Sequence, residues 1–236
     1  MQALDAAAAR AIVPRAAATT VVLRDSPRGP EALMVKRSAQ ATFMPGAYVF
    51  PGGAVDAADA DAASDEPVVL LLERIGRVTG VGALARAYAT AALRECLEEC
   101  ALDLGSTHAL VPWSHWVTPL GLGKRFDTLF FVARAPEGQE PRVDAGETTT
   151  LEWVAPRAAL DAHAAGRFPM EFATVTTVRS LVPFAQSTVQ AILDHAAKQT
   201  HLPPVHPRIV LDGARRIVGV RLPGEPGYDA LEGDGP

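Results

Sequence analysis

Three carboxylates and one guanidinium lie within six consecutive residues of this chain, from Arg94 to Glu99. The surrounding residues 83–104 contain neither proline nor glycine and are rich in alanine and leucine, so we predict a helix there. Side chains three and four positions apart share a helix face, so Glu95, Glu98 and Glu99 should project together. Their like charges repel unless solvent, the arginine or a cation neutralises them. A hard divalent ion suits this face best, because Mg²⁺ and Mn²⁺ prefer oxygen ligands.

A pair of glycines precedes the predicted helix, at the end of an apolar segment. Residues 43–53 read Phe-Met-Pro-Gly-Ala-Tyr-Val-Phe-Pro-Gly-Gly, which is typical of a strand that runs into a tight turn. Glycine lets the backbone approach a ligand closely, and such a turn can direct a carbonyl oxygen at a metal ion. Most charged helix faces are simply solvated. This loop is the context that favours a functional interpretation of the acidic face.

The order of strand, Pro-Gly-Gly and Arg-Glu-x-x-Glu-Glu resembles the Nudix hydrolases. Their box is Gly-x5-Glu-x7-Arg-Glu-U-x-Glu-Glu-x-Gly-U, where U is a bulky aliphatic residue. Its second half is matched by residues 94–102, with Cys96 at an aliphatic position and Ala101 where the family has Gly. The part of the box that carries the three carboxylates is therefore intact.

The first half of the box is interrupted. Gly53 and Arg94 stand 41 positions apart instead of the 14 of an unbroken box, so about 27 residues are inserted. Counting forward from Gly53 places the first box Glu at Asp59, whereas counting back from Arg94 places it at Arg86. Neither residue is Glu. The sequence leaves open which acid replaces it.

An interrupted box is similar to that of the subgroup containing the peroxisomal coenzyme A diphosphatases and their bacterial relatives. Flanking segments that agree with this subgroup lie at residues 36–38, 116–119, 125–131 and 147–153. The resemblance implies an α+β fold, a Nudix-like α/β/α sandwich with a mixed sheet, a catalytic loop and helix, and an insertion inside the box. It divides the chain into an N-terminal extension, a hydrolase domain with the insertion, and a C-terminal helix end and hairpin, at residues 1–17, 18–185 (insertion about 54–82) and 186–236.

The resemblance also implies a role for each polar residue of the box. Glu98 and Glu99 would be core ligands of Mg²⁺ or Mn²⁺. Glu95 would be a further ligand or the base that positions water, and Arg94 would orient Glu95 through a charge-assisted hydrogen bond. The carbonyl oxygen of Gly52 would be another metal ligand.

Residues outside the helix complete the set of candidates. A distant loop often supplies a further acid in this family, and Glu147 has the matching placement, with Glu152 as its competitor. Residues that could contact the substrate or its phosphates are Arg37, Gly53, Lys124 and Arg125.

Apolar residues near the box are better explained by packing than by chemistry. Cys96 and Cys100 are one helical turn apart, which suits neither a structural disulfide nor a zinc site, so we expect them in the core. Aromatic residues within apolar strands also usually belong to the core, although they could stack on a base. These are Tyr48, Phe50 and Trp116.

Turn-forming residues divide the rest of the chain into predicted elements. Strands are predicted at residues 17–24, 31–36, 126–133 and 149–154. Helices are predicted at residues 156–165 and 176–197, and a C-terminal hairpin at 208–211 and 217–222. The apolar run at residues 68–72, inside the insertion, fits either a short helix or a cap, and we expect the insertion to cover the substrate cleft.

The composition of the chain restricts the classes of molecule that we expect it to bind. The net charge of −5 argues against a broad nucleic-acid surface, because phosphate backbones are held by basic patches. No apolar run approaches the roughly 20 residues that span a bilayer. With 48% apolar and 21% charged residues, the chain has an ordinary globular composition. We expect a cytoplasmic protein that binds a small nucleotide, without nucleic acid or membrane, and a homodimer is left open.

The sequence thus predicts a metal-dependent hydrolase that cleaves the diphosphate linkage of a nucleoside diphosphate derivative. Coenzyme A or an acyl-coenzyme A is the leading substrate by resemblance, while NADH, ADP-ribose and nucleotide sugars stay open. An alternative of another class is a catalytically silent Nudix-fold module that binds a nucleotide. The intact carboxylates disfavour this alternative, whereas the displaced first acid and Ala101 keep it open.

Overall fold

The computed structural model describes residues 3–40, 44–61, 84–143 and 148–233 of the chain. The strands are β1 (Arg15–Ser26), β2 (Gly29–Arg37), β3 (Tyr48–Val49), β4 (Gly52–Ala54), β5 (Val111–Val117), β6 (Phe126–Arg134), β7 (Thr148–Val154), β8 (Pro204–Val205), β9 (Arg208–Leu211) and β10 (Ile217–Arg221). The α-helices are α1 (Ala6–Arg10), α2 (Ala57–Asp61), α3 (Ala85–Cys100), α4 (Pro156–Ala164), α5 (Phe172–Leu181) and α6 (Val189–Ala197).

Strand β1 organises a mixed sheet with the order β3-β2-β1-β6-β5-β8, to which β7 is added beside β2 and β4 beside β1. It pairs in parallel with β6, and antiparallel with β2 and β4 at its two ends. The register places Gly52 opposite Thr19 and Gly53 opposite Ala18. The glycine pair is thereby fixed to the central strand of the sheet instead of lying in a free loop. Strands β9 and β10 form a separate hairpin.

Alternate residues of β1 point to opposite faces of the sheet, as expected for a strand. Ala18 and Val22 pack with helix α3 in one hydrophobic cluster. Val21 and Leu23 pack in a second cluster with helices α4, α5 and α6. The sheet therefore lies between α3 on one face and the C-terminal helices on the other, and the predicted α+β sandwich with a mixed sheet is confirmed.

Several local predictions are confirmed within a few residues, among them the β1–β2 hairpin, β6, β7, α4 and the C-terminal hairpin. Cys96 and Cys100 are free and buried in the cluster beneath α3. Tyr48, Phe50 and Trp116 are buried in the opposite cluster. Both sets of side chains serve packing, as their sequence context indicated.

The prediction of one long helix over residues 176–197 is wrong. The chain forms α5 and α6, separated by a 3₁₀ turn at Val182–Phe184. Pro183 in this turn has no N–H and disfavours a continuous helix. The side chain of Thr188 then accepts a hydrogen bond from the N–H of Ala191 and caps the start of α6.

The helix predicted to reach residue 104 ends at Cys100. Ala101 takes a left-handed conformation, with φ 54° and ψ 30°. This reverses the chain direction and buries Leu102 and Leu104 in the cluster beneath α3. Apolar spacing continued past the helix because those residues also belong to the core.

Strand β5 was absent from the predicted elements. It contains Pro112, which lacks a hydrogen-bond donor and is unusual inside a strand. The pairing of β5 with β6 is irregular between Pro112 and Ser114, which accommodates the proline. Its position between β6 and β8 is set by tertiary pairing.

Two expectations for the insertion fall partly or wholly on residues outside those that the structure describes. These are the apolar run at 68–72 and the cap formed by the insertion, of which only residues 54–61 are described. Among the described helices, none has the length and apolar character required to cross a membrane.

Candidate active site

Glu99 joins helix α3 to the glycine pair. Its carboxylate accepts a hydrogen bond of 3.0 Å from the N–H of Gly52, and the residue is only 8% exposed. A Cβ atom at Gly52 would lie 2.4 Å from the carbonyl oxygen of Ala18. The close approach of β4 to β1 therefore requires glycine at this position, and it brings the Gly52 backbone to the carboxylate.

Glu95 lies directly on the backbone of Gly53. A Cβ atom at Gly53 would be 2.4 Å from Glu95 Oε1, so any side chain there would displace the carboxylate. Burial raises the pKa of Glu95, and the charges of Glu98 and Asp56 act in the same direction. Hydrogen bonding to Arg94 opposes this shift. The result is a partly buried carboxylate with a greater affinity for protons than an ordinary Glu.

Arg94 connects the acidic side chains to the loop. Its Nη1 donates to Glu95 Oε1 at 2.8 Å and to Glu98 Oε2 at 3.0 Å. Its Nη2 donates to the carbonyl oxygen of Ala54, at 3.0 Å. The contact with Glu95 is the one that the predicted orienting role requires. Arg94 also neutralises part of the repulsion between neighbouring carboxylates.

Asp59, which the forward count from Gly53 reached, contacts Arg94. Its two carboxylate oxygens accept hydrogen bonds from Arg94, from Nε at 3.1 Å and from Nη2 at 3.0 Å. It also accepts one from the N–H of Asp56 at 2.8 Å. Asp59 is buried, and its hydrogen bonds raise the pKa of Arg94, which keeps the guanidinium charged.

Of the two positions that the counts reached, the structure therefore joins only Asp59 to the described residues of the box. Asp59 stands at the spacing of the first box Glu, and the insertion enters the box after it. Arg86, which the backward count reached, is exposed on α3. The signal for Asp59 was present in the sequence as an acid of the right charge at the right distance from the glycine.

The three carboxylates of α3 differ in environment, although they were predicted to project together. Glu95 and Glu99 face β4 and are largely covered, whereas the side chain of Glu98 is 57% exposed. Glu98 contacts Arg94 one helical turn away, and an exposed pair of this kind is weak. Glu98 is thus the carboxylate that can exchange this partner for a cation with least cost.

The donor set suits a hard divalent cation. It consists of carboxylate oxygens from Glu95, Glu98 and Glu99 with backbone of the glycine pair nearby, and Mg²⁺ and Mn²⁺ prefer oxygen ligands. Within the described ranges, no three His, Cys, Asp or Glu side chains are arranged to hold a metal ion by themselves. Mg²⁺ is commonly bound by one or two carboxylates together with water and substrate phosphate, so it does not need such a cage.

The cations predicted to bind phosphate occupy different environments. Arg125 is 4% exposed and donates to the carbonyl oxygens of Thr118 and Ile12, each at 3.1 Å. These bonds fasten the turn before β6 to the N-terminal segment. Lys124 is exposed in the same turn. Arg37 ends β2, where its backbone N–H donates to Ala47.

Of the two competing acids outside the box, Glu147 lies outside the described residues. Glu152 accepts a hydrogen bond of 2.6 Å from the hydroxyl of Tyr48. Burial of Tyr48, together with this bond, raises the pKa of the phenol to about 12. Tyr48 also stacks on Phe168, with ring centroids 3.5 Å apart. Glu152 thus participates in a packed contact on the face of the sheet opposite α3.

Comparison with known families matches residues 14–172 to the NUDIX domain. Among curated proteins, "Putative nudix hydrolase 7" of Caenorhabditis elegans is 28% identical over 153 residues, which make up 58% of this chain and 51% of that protein. The chain therefore spans about half the length of this relative.

One of the solved structures that resemble this chain shows the same fold. A NUDIX hydrolase from Alicyclobacillus acidocaldarius superposes with a TM-score of 0.64 and 23% identity, covering 78% of this chain and 96% of that one. A MutT NUDIX hydrolase from Burkholderia pseudomallei superposes with a TM-score of 0.46 and 21% identity, covering 72% and 99% of the two chains. Because the identity is only 23%, the similarity to the Alicyclobacillus acidocaldarius structure concerns the fold alone.

Proposed function

Because the chain belongs to the NUDIX domain family of hydrolases, we propose that it hydrolyses the pyrophosphate bond of a nucleoside diphosphate derivative with the help of a divalent cation. One observation carries this proposal. Glu95 and Glu99 are held against the glycine pair of β4, and Arg94 is held by buried Asp59 beside them. The acidic face is therefore held in place by contacts within the chain, which a merely solvated helix face would not be.

Charge determines what this face can bind. A diphosphate is repelled by the carboxylates of α3 unless a cation lies between them. We propose Glu98 and Glu99, with Glu95 and the Gly52 carbonyl oxygen, as the groups that hold Mg²⁺ or Mn²⁺. When bound, the cation would lower the pKa of a coordinated water and stabilise charge on the phosphate oxygens.

Residues of the chain itself orient the carboxylate of Glu95 and supply a candidate base. Arg94 fixes the carboxylate of Glu95 through Nη1, and Gly53 leaves room for that carboxylate beside the backbone. In the alternative in which Glu95 positions water instead of binding the cation, its raised pKa favours acceptance of a proton from the attacking water at a carboxylate oxygen. Asp59 acts only through Arg94, and is a positioning residue.

We propose coenzyme A or an acyl-coenzyme A as the first substrate to test, because the interrupted box resembles that subgroup. NADH, ADP-ribose and nucleotide sugars are the competing substrates. The substrate contacts proposed for Arg37, Lys124 and Arg125 belong to the same hypothesis, and substrate choice depends on such residues and not on the box.

The test measures phosphate-containing products from this panel with Mg²⁺ or Mn²⁺, comparing wild type with Glu98→Gln. We expect metal-dependent turnover that falls by on the order of 100-fold or more in the variant, since a metal ligand matters at least as much as an outer-shell residue. Glu137→Gln, a matched change at an exposed site after β6 and outside the box, should leave turnover unchanged. Equal turnover by all three proteins would refute the assignment.

The further acid is tested separately. We propose that Glu147 assists the reaction, whereas Glu152 serves the contact with Tyr48. Glu147→Gln should then lower kcat with little change in the unfolding free energy. Glu152→Gln should lower stability with little change in kcat. The reverse pattern would exchange their roles.

A catalytically silent module is the second candidate. The observation that favours it is the occupation of both Glu95 and Glu98 by Arg94 in this structure. Such a module would show a Tm increase with Mg²⁺ or Mn²⁺ that Glu99→Gln abolishes, but no turnover of any substrate in the panel. Turnover with either metal would exclude it.

A further inference from the structure

Thr20 is a polar residue buried beneath the helix that carries the three carboxylates. It is completely buried in β1, and strand alternation places its side chain on the same face as Ala18 and Val22, which pack with α3. A hydroxyl in an apolar layer lowers stability unless it is hydrogen-bonded. Valine has nearly the same shape without that requirement, so the presence of threonine calls for a reason.

The backbone of Thr20 holds the turn that precedes the glycine pair. Its N–H donates to the carbonyl oxygen of Pro51 at 2.9 Å. That carbonyl and the N–H of Gly52 belong to one planar peptide group, in which the two polar groups point in opposite directions. The N–H of Gly52 donates to Glu99 at 3.0 Å. The peptide group between Pro51 and Gly52 is therefore fixed on one side by β1 and on the other by a carboxylate of α3.

The side chain of Thr20 holds the helix. Its hydroxyl donates to the carbonyl oxygen of Ala92 in a long bond of 3.4 Å, and the side chain also forms a hydrogen bond with the thiol of Cys96. Ala92 precedes Glu99 by about two helical turns and therefore lies on the same side of α3. Cys96 directly follows Glu95. One side chain thus fixes the position of α3 on β1 within the segment that carries the carboxylates.

We infer that Thr20 is a positioning residue of the candidate active site. Its N–H sets the place of the Gly52 peptide group and its hydroxyl sets the place of α3, so this one residue fixes the separation between Gly52 and Glu99. The role rests on the proposed function, because Gly52 and Glu99 are both proposed to hold the divalent cation. Thr20 itself is buried beneath α3 and acts only through these groups.

The first test is amide hydrogen exchange of Gly52, measured without metal in wild type and Thr20→Val. Thr20→Val keeps the backbone bond to Pro51 and replaces only the hydroxyl that holds α3. We expect the Gly52 N–H to exchange about fivefold faster, the effect of one lost neutral hydrogen bond. Thr20→Ser keeps the hydroxyl and should exchange as the wild type does, although loss of a buried methyl group should lower its Tm.

The second test is binding of Mn²⁺ without substrate, followed by electron paramagnetic resonance. Thr20→Val should bind Mn²⁺ about 10-fold more weakly than wild type, as expected when an outer-shell partner of a metal ligand is lost. Thr20→Ser should bind as the wild type does. If Thr20 served stability alone, Mn²⁺ binding would follow the Tm instead, and Thr20→Ser would be impaired.

Two further comparisons serve as controls. Thr177→Val is the matched change, because Thr177 is a buried threonine of α5 on the other side of the sheet. It should alter neither Gly52 exchange nor Mn²⁺ affinity. Thr20→Ala and Thr20→Ser differ by the hydroxyl alone, so faster Gly52 exchange in Thr20→Ala than in Thr20→Ser is expected, and this comparison decides the proposal if Thr20→Val does not fold.

Equal Gly52 exchange, or equal Mn²⁺ affinity, in wild type and Thr20→Val would overturn the proposal. Equal impairment of Thr20→Val and Thr20→Ser would also overturn it, since the hydroxyl would then not be responsible. A wild type that neither binds Mn²⁺ nor turns over any substrate would refute the proposed function, and Gly52 exchange would still decide whether Thr20 holds the turn and the helix together. Failure of this inference and failure of the proposed hydrolase are therefore distinguishable.

Discussion

Ala101 holds a conformation that its side chain disfavours, at the end of the helix that carries the three carboxylates. Its φ of 54° lies in the left-handed region, which costs an L-residue roughly 1–2 kcal/mol. Glycine adopts this conformation without that cost, although it loses more chain entropy on folding, about 0.5–1 kcal/mol. The difference predicts that Ala101→Gly stabilises the protein by about 0.5–1 kcal/mol.

The strain persists because the neighbouring residue is anchored. Leu102 is completely buried beneath α3, and its N–H donates to the carbonyl oxygen of Cys96 at 3.3 Å. The N–H of Ala101 donates to Leu97 at 3.0 Å. Glycine would preserve these bonds, since they involve only the backbone, and Ala101 is exposed, so loss of its methyl group creates no cavity.

The assay is unfolding by urea and by heat. For a chain of this size we expect Ala101→Gly to raise Tm by about 1–4 °C. Ala165→Gly is the matched control, because Ala165 is also an exposed alanine at a helix C-cap but has a φ of −82°. At Ala165 the backbone carries no left-handed strain that glycine could relieve. Ala165→Gly should therefore lower the free energy of unfolding by about 0.4–1 kcal/mol. If both variants lost stability equally, the strain argument would be refuted.

Three further predictions concern other contacts. Asp59→Ala should lower the unfolding free energy by about 3 kcal/mol, the lower end for a broken buried pair, because it leaves Arg94, itself 25% exposed, without its buried partner. Asp56→Ala, which removes a carboxylate 3.9 Å away and 63% exposed, should cost less than about 1 kcal/mol. Similar urea midpoints for the two would contradict this. Asp25 accepts a hydrogen bond from the first N–H of α6, which with a contact to an arginine lowers its pKa. Its stabilisation should be present above the ordinary Asp pKa of about 4 and vanish as pH falls through the lowered value, so Asp25→Asn should be less stable than wild type, by about 1 kcal/mol, at pH 7 only. A difference that persists at acid pH would show that the carboxylate charge is not involved. Burial raises the pKa of Cys96 to about 12, so a thiol reagent should label it only in denaturant, and rapid labelling of the native protein at neutral pH would show that this side of α3 opens readily.

The features that could be predicted from the sequence depend on contacts that are close along the chain. Glu95, Glu98 and Glu99 follow helical spacing, and the glycine pair marks a close approach of backbone whatever the partner. The partner itself was not predictable, because it is Glu95 for Gly53 and the central strand for Gly52. Such contacts depend on how the elements pack.

The errors arise where tertiary structure overrides local preference. Apolar spacing continued across Pro183 because α5 and α6 bury their apolar residues in one cluster. Strand β5 contains a proline and became a strand through its pairing with β6 and β8. Asp59 was ambiguous because the insertion removed the fixed distance to Arg94, which an unbroken box would have supplied.

The ion pair between Asp59 and Arg94 fastens together the two ends of the interruption. In the sequence, residues 62–83 stand between the helix that contains Asp59 and the start of α3. Once the ends of a loop are held, its closure entropy rises by only about 0.6 kcal/mol for each doubling of its length. The two parts of the interrupted box are therefore held together by this ion pair, whatever the length of the chain between them. Insertions of quite different length and composition can evolve between those parts while the acidic face keeps its geometry.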